Sequence, residues 1–232
     1  MNKWQTIWGK KSLTNIDGSK AILNQLLELD GFDTGFSSIK AGDWNSYVIY
    51  IKNKLDIHKN NTIYDVGCGA GAFLYPLYEI GIHVGGIDYS DALISAAKHF
   101  MPNGQFNHME ANGLSIDEQY DFVVSNGVFV YFSSYEYAKN VLYKMVKKAK
   151  YSVAILEVND MDKKEQALAL RKGYLTDKEY EKRYQGLDHL YYDKKWFVNI
   201  AKALDCDIEI EDQVIQNYAS STYRYNVFLK KR

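Results

Sequence analysis

"TIYDVGCGAGAF", residues 62–73, decides how the rest of this chain is read. β-branched and apolar residues run into Asp65, and Gly67, Gly69 and Gly71 then stand at alternate positions before Ala72 and Phe73. An apolar strand that breaks into closely spaced glycines describes a backbone that turns tightly and lets another group approach it. With a strand before it and a helix after it, this is the setting of a phosphate or cofactor loop. Gly67, Gly69 and Ala72 also satisfy the G-x-G-x-x-A form of a dinucleotide fingerprint, so the spacing alone leaves the cofactor open.

Working outward, apolar stretches alternate with amphipathic ones. Helices are expected over 19–29, with Ser19 as cap, and over 43–55, with Asp43 as cap and Trp44, Tyr47, Val48, Ile51 and Leu55 on one face. After strand 62–66, a helix runs from the glycines to Gly81, its opening turns loosened by Pro76. Strand 82–87, helix 91–100, strands 105–109 and 120–125, helix 134–149 and strand 151–158 follow. Apolar strands separated by helices argue a parallel sheet covered on both faces, with right-handed crossovers. Residues 159–192 hold two short charged helical stretches, and 193–204 form another amphipathic helix. "DIEIEDQVI" (207–215) and "TYRYNVFLK" (222–230) then read as strands joined without a helix, hence antiparallel.

Composition sets the outer limits. The 232 residues, 47% hydrophobic and 25% charged, suit one globular domain, or one with a cap. A formal net charge of -1 provides no general field toward nucleic acid or membrane. The one local basic run, "KKAK" at 147–150, closes a helix, where lysines favour the negative dipole end. Two cysteines, Cys68 and Cys206, form no disulfide framework, and five histidines show no metal-ligand spacing. There is no membrane-spanning apolar run, and the start, "MNKWQTIWGKK", is amphipathic rather than a secretory signal. A reducing, cytoplasmic setting is the expectation. Twenty tyrosines leave room for an aromatic-lined pocket.

Two acids narrow the cofactor. Asp88 ends the second strand in "GGIDYS", where a carboxylate can accept both hydroxyls of a ribose, whether of NAD or of S-adenosylmethionine. Asp65, two residues before the first glycine, would repel a pyrophosphate and attract an ammonium or sulfonium. About sixty residues precede the first strand, and a hairpin replaces a final parallel strand. Together these favour S-adenosylmethionine.

With these features the chain resembles a class I S-adenosylmethionine-dependent methyltransferase. "YDVGCGAGAF" resembles that family's first motif, "GIDYS" its second, "MEANGL" its adenine segment and "YDFVVSNGVFVYF" its fourth-strand motif. The resemblance implies a Rossmann-like three-layer αβα sandwich. Its seven-stranded, mostly parallel sheet would have the order 3-2-1-4-5-7-6 and an antiparallel last strand. It implies that Gly67, Cys68, Gly69 and Gly71 wrap the methionine part, that Asp65 faces the ammonium, and that Asp88 holds the ribose with Tyr89 near the adenine. Glu110 and Ala111 would lie at the adenine edge, and Ser125 and Asn126 would border the methionine and the transferable methyl. No metal is implied.

The expected organisation is a single methyltransferase domain over 1–232, with an N-terminal helical segment (1–58) and a helical cap (159–192). The cap sequence "GLDHLYY" (186–192) offers His189 as a general base for a hydroxyl acceptor, with Tyr191 and Tyr192 beside the substrate. Tyr131, Tyr223 and Arg224 are further candidate acceptor contacts, Arg224 for an anion, while Trp4 and Trp8 either fold over the cofactor or pack on the core. The cap and the chain's last strands also resemble small methyltransferases of surface-polysaccharide and natural-product pathways. That points to a small-molecule acceptor, with a hydroxyl or amine methylated, and to no nucleic-acid or membrane partner. Two rival classes stand beside this: an NAD-dependent oxidoreductase using the same loop, and a non-catalytic cofactor-binding module.

Overall fold

The computed structural model describes residues 3–8, 19–33 and 38–232. Seven strands form one sheet: β1 (Thr62–Val66), β2 (His83–Asp88), β3 (Gln105–His108), β4 (Tyr120–Asn126), β5 (Ala149–Asn159), β6 (Cys206–Asp212) and β7 (Arg224–Lys231). Their order is β3-β2-β1-β4-β5-β7-β6. The first five run parallel, and β7 is antiparallel to both β5 and β6. This is the expected Rossmann-like αβα sandwich, with the hairpin closing one edge.

Side-chain alternation builds the layers. Ile63, Phe122, Val124, Ala154 and Leu156 face one core, shared with Leu26 of α2 (Ile22–Leu29), Trp44, Val48 and Ile51 of α3 (Ala41–Lys54), Leu77 of α4 (Tyr75–Glu79) and Ile94 of α5 (Asp91–Phe100). Tyr64, Val123, Val153 and Ile155 face the other, against Val141 and Met145 of α6 (Tyr135–Lys148) and Phe197 and Ile200 of α9 (Lys194–Ala203). Both sheet faces are thus dry, as parallel strands require. Among the described residues no helix is long and apolar enough to cross a membrane.

Some local readings need correction. α3 starts two residues before Asp43, whose carboxylate instead accepts from the Asn217 amide across the fold. Ala21, not Ser19, precedes α2. Pro76 occupies the opening positions of a short α4, where its missing N–H costs nothing; the turn between the glycines and Tyr75 is not α-helical. In the 147–150 run, Lys148 is buried rather than solvated: its ammonium donates to the Ser115 and Glu118 carbonyls and lies over the Tyr64 ring. Burial pulls its pKa down.

α7 (Lys164–Lys172) and α8 (Asp177–Tyr184) make up most of 159–192 and bury none of their residues fully. Of the expected N-terminal segment 1–58, residues 1–2, 9–18 and 34–37 lie outside the described residues. α1 (Lys3–Trp8) carries both early tryptophans.

Trp44 ties this scaffold to the glycine loop. Its ring is fully buried and its Nε1–H donates to the Ala72 carbonyl at 2.8 Å. Trp44→Phe should keep most of the packing but strand that carbonyl, at a cost of about 1–3 kcal/mol. A drop in melting temperature of roughly 2–10 °C in a calorimetric scan is the expected result.

Candidate functional site

The glycine loop takes a conformation that only glycine holds without strain. Gly67, Gly69 and Gly71 have φ of +84°, +55° and +95°. Space is closed as well: an added Cβ would meet the Val128 side chain at 2.5 Å from Gly67, the Asp30 carboxylate at 2.3 Å from Gly69, and Met101 at 2.2 Å from Gly71. The neighbours that demand glycine here are therefore protein groups.

Two carboxylates hold the loop. Asp30, just past α2, accepts from the backbone N–H groups of Ala70 and Ala72 at 2.7 and 3.0 Å. Asp88, ending β2, accepts from Gly69 N–H at 3.0 Å through Oδ2 and from Ser90 N–H through Oδ1. Asp88 does not cap α5: Ser90 does, accepting from Leu93 N–H. A third carboxylate, Asp65, is 2% exposed, and its Oδ1 has no hydrogen-bond partner. Burial first, then the charges of Asp30 and Asp88, push its pKa well above the usual carboxylate range. Burial likewise raises Asp88, partly offset by its backbone donors.

These groups open onto a cavity of about 360 Å³ over the carboxyl ends of the strands. Of the residues singled out from sequence, Asp65, Gly67, Cys68, Gly69, Asp88, Tyr89, Glu110, Ala111, Asn126, Tyr131 and Arg224 line it. Trp4 and Trp8 line it too, so α1 does lie against the cavity; its carbonyls at Trp4 and Trp8 accept from the Tyr89 and Ser90 hydroxyls. Asn126 carries a buried Oδ1 with no partner.

Other candidates lie elsewhere. The Ser125 hydroxyl is spent on the Val66 carbonyl inside the sheet. Gly71 sits under Met101, off the cavity wall. Tyr192 is fully buried, its hydroxyl donating to the Phe129 carbonyl, and the Tyr191 carbonyl accepts from the Tyr135 hydroxyl. Both pack the base of the 186–192 loop rather than the wall, and Tyr223 is likewise off the wall, its carbonyl accepting from Asp160 N–H. His189 stacks on Trp4 (4.9 Å between centroids) and meets Tyr131 edge-on, without itself reaching the wall. Burial, then Arg171 and Arg224, lower its pKa well below the usual histidine value.

Two acidic wall residues escaped the sequence reading. Asp30 sits in no motif. Glu157 does carry a signal: it stands near the carboxyl end of β5, the same relative place that pointed to Asp88. It lines the cavity, is 1% exposed, and accepts from the Arg224 guanidinium (3.0 Å) and the Gln213 amide (3.1 Å). Arg224 also donates to the Tyr218 hydroxyl. The anion-pairing role expected of Arg224 is therefore already filled from within the chain.

Residues 63–150 match the family model for a methyltransferase domain. Over that stretch the chain is similar to methyltransferase domains. A protein described as a methyltransferase, 235L of Invertebrate iridescent virus 6, is 36% identical over 89 residues. That stretch is 35% of this chain and 33% of the viral protein, so the chain matches about a third of its relative's length. Among solved structures, an S-adenosylmethionine-dependent methyltransferase from Clostridium acetobutylicum ATCC 824 superposes with a TM-score of 0.66 at 13% identity, covering 91% of this chain and 99% of the other. Magnesium protoporphyrin IX methyltransferase from Synechocystis PCC 6803, solved with bound S-adenosylmethionine, gives 0.60 at 14% identity over 99% and 90%. The plantazolicin methyltransferase BpumL, solved with S-adenosylhomocysteine and a desmethyl analogue, gives 0.61 at 17% identity over the full length of both chains. These three share this chain's fold.

The buried Asp65 has a measurable consequence. The folded state holds its proton more tightly than the unfolded chain, so this residue's contribution to stability declines as pH rises through the ordinary carboxylate range and above. Asp65→Asn should remove that decline. Without ligand, the variant should melt a few degrees above the wild type at pH 7 and close to it at pH 4, while losing tenfold or more in affinity for S-adenosylhomocysteine.

Proposed function

We propose that this chain methylates a small-molecule acceptor, with S-adenosylmethionine held over the glycine loop. The observation that carries the reading is the unpartnered, buried Oδ1 of Asp65 on the wall of a cavity that opens at the strand ends. A carboxylate left in that state requires a cation or donor from a ligand. The amino group and sulfonium of S-adenosylmethionine provide positive charge where Asp65 faces the cavity; a pyrophosphate would meet three carboxylates, which disfavours the NAD reading.

In this reading Gly67, Cys68 and Gly69 line the methionine part, Asp88 takes the ribose through lone pairs its two backbone donors leave open, and Tyr89, Glu110 and Ala111 border the adenine. S-adenosylmethionine supplies a methyl group on a positive sulfur, so that when an acceptor lone pair takes the methyl the C–S pair stays on sulfur and the acceptor's proton leaves. The chain's own part is to place the acceptor in line and to keep water out. Trp4, Trp8, Phe32, Tyr131 and Phe132 supply the apolar walls for that. A cavity of this size and aromatic lining suits a small molecule. The proposal does not use His189 as base, since its ring packs on Trp4 and Tyr131 rather than facing the cavity.

Asp88→Ala tests it. The change removes the ribose-facing carboxylate and the bond to Gly69 N–H together. Titration calorimetry should show S-adenosylhomocysteine binding about tenfold weaker or worse in a folded variant, since a charge-assisted bond contributes about 1.5–3 kcal/mol. Unchanged affinity would remove Asp88 from the site. NAD binding to the wild type, with none of S-adenosylhomocysteine, would establish the oxidoreductase instead.

A further inference from the structure

One part of the cavity wall is organised around Glu157. Its φ is +59°, a left-handed conformation that is costly for a residue with a side chain, and it sits at the register break between Ile155 and Val158 in β5. Several buried groups hold it there. The Asn226 amide oxygen accepts from Glu157 N–H and from the Tyr47 hydroxyl of α3. Gln213 and Arg224 both donate to Oε1. Oε2 is turned instead toward Gly127, where an added Cβ would stand 2.8 Å from it. The residue before that glycine, Asn126, presents the buried Oδ1 that has no partner.

Two oxygen acceptors therefore stand at neighbouring positions on one wall, beside the fourth strand's end. Nothing about them suits an anion, and the rest of the wall agrees. Asp30, Asp65, Asp88, Glu110 and Glu157 line the cavity, while among the described residues Arg224 is its only cation, and that cation is engaged with Glu157 and Tyr218. Tyr131 and Tyr218 add π-faces to the wall, which attract a nitrogen that gains positive charge. A hydroxyl brings one hydrogen-bond donor; a primary amine brings two or three, enough for both oxygens.

We infer, building on the methyl-transfer reading, that the acceptor is an amine and that Glu157 and Asn126 are the residues that bind and aim its nitrogen. Glu157 acts as a substrate-binding carboxylate, with Arg224, Gln213 and Asn226 fixing its direction. An amine also needs no strong base on the wall: its ammonium form gives one proton to solvent water before transfer, the freed lone pair takes the methyl, and the methylated ammonium gives up its extra proton after release. The backbone strain at Glu157 is thus spent on directing one carboxylate oxygen into the cavity.

The test uses the full chain saturated with S-adenosylhomocysteine, titrated by calorimetry with matched probes: benzylamine and cyclohexylamine against benzyl alcohol, cyclohexanol and benzoate. Both amines should bind at least tenfold more tightly than their alcohols, with benzoate weakest. Glu157→Gln should bring each amine to the affinity of its alcohol while S-adenosylhomocysteine binding stays as in the wild type. Asn126→Ala should weaken the amines more than the alcohols, which keeps the inference testable if the Glu157 variant does not fold. In protein that binds S-adenosylhomocysteine, equal binding of amines and alcohols, absence of amine binding, or an amine preference that survives in folded Glu157→Gln overturns the inference; in that last case the Glu157–Arg224 pair merely fastens β5 to β7. Failure of the wild type to bind S-adenosylhomocysteine overturns the methyl-transfer reading instead.

Discussion

The site depends on a set of backbone N–H groups that point out of the loop after β1. Residues 67–72 leave the sheet through three left-handed glycines; the Gly67 and Cys68 N–H groups donate to the Ile87 carbonyl of β2 and Gly71 N–H to the Cys68 carbonyl, which leaves the donors of Gly69, Ala70 and Ala72 to side chains. Asp30 takes two of them and Asp88 a third, so one carboxylate from before the sheet and one from the end of β2 lock the loop between them. Trp44 pins the same turn from below through the Ala72 carbonyl. The loop is stiff because its donors are spoken for and the space where a Cβ would stand at its three glycines is occupied by Val128, Asp30 and Met101. A cofactor arriving there meets a surface already shaped, which reduces the ordering that binding must carry out.

That rigidity sets the electrostatics. Holding the loop brings Asp30 and Asp88 close to Asp65, which the sheet buries, and their charges add to the penalty of burial. Without a ligand this arrangement is a source of instability; with a positive ligand the same three charges become attraction. The field therefore selects for cations in a way that no single carboxylate would. Arg224, the only cation among the described residues that line the cavity, is tied instead to the Glu157 carboxylate and the Tyr218 hydroxyl.

Much of this was legible in the chain. Strand β1 and helix α5 fall where the apolar pattern put them, and the sheet order is the one the resemblance to the methyltransferase family implied. Asp65 was legible by its charge two residues before the first glycine, Asn126 through the family resemblance, and Asp88 by a different rule, that strand ends of an open α/β sheet line the site. The same rule applied to β5 would have reached Glu157, hidden only because β5 runs on past it to Asn159 through a bulge. Asp30 carried no such signal: its role comes from packing between residues forty apart, which propensity cannot see. Ser125, Tyr191 and Tyr192 had the right composition and the wrong facing. Strand alternation turns Ser125 inward to the Val66 carbonyl, and the 186–192 loop consumes both tyrosines in joining α6, β5 and the turn at Phe129.

The antiparallel hairpin completes the site rather than merely closing the sheet. β7 brings Arg224 and Asn226 to the carboxyl end of β5 because it runs against it; a parallel strand there would present its own carboxyl end instead. Running antiparallel, its first residues meet β5's last ones, so Asn159 pairs with Arg224 and Val158 with Tyr225. The β5 bulge then shifts Glu157 out of the ladder, where Asn226 receives its N–H and Arg224 its carboxylate. The polar groups buried at this junction, Tyr47, Gln213, Ser221 and Asn226, would be a liability in a purely structural edge. The Tyr47 hydroxyl donates to the Asn226 amide oxygen, the Gln213 amide to Glu157 and the Ser221 hydroxyl to the Gln213 carbonyl, while the Asn226 Nδ2 and the Gln213 Oε1 are left without a partner among the described residues. The reversal of the final strand is therefore the topological reason that Arg224 and Asn226 meet Glu157 near the carboxyl end of β5.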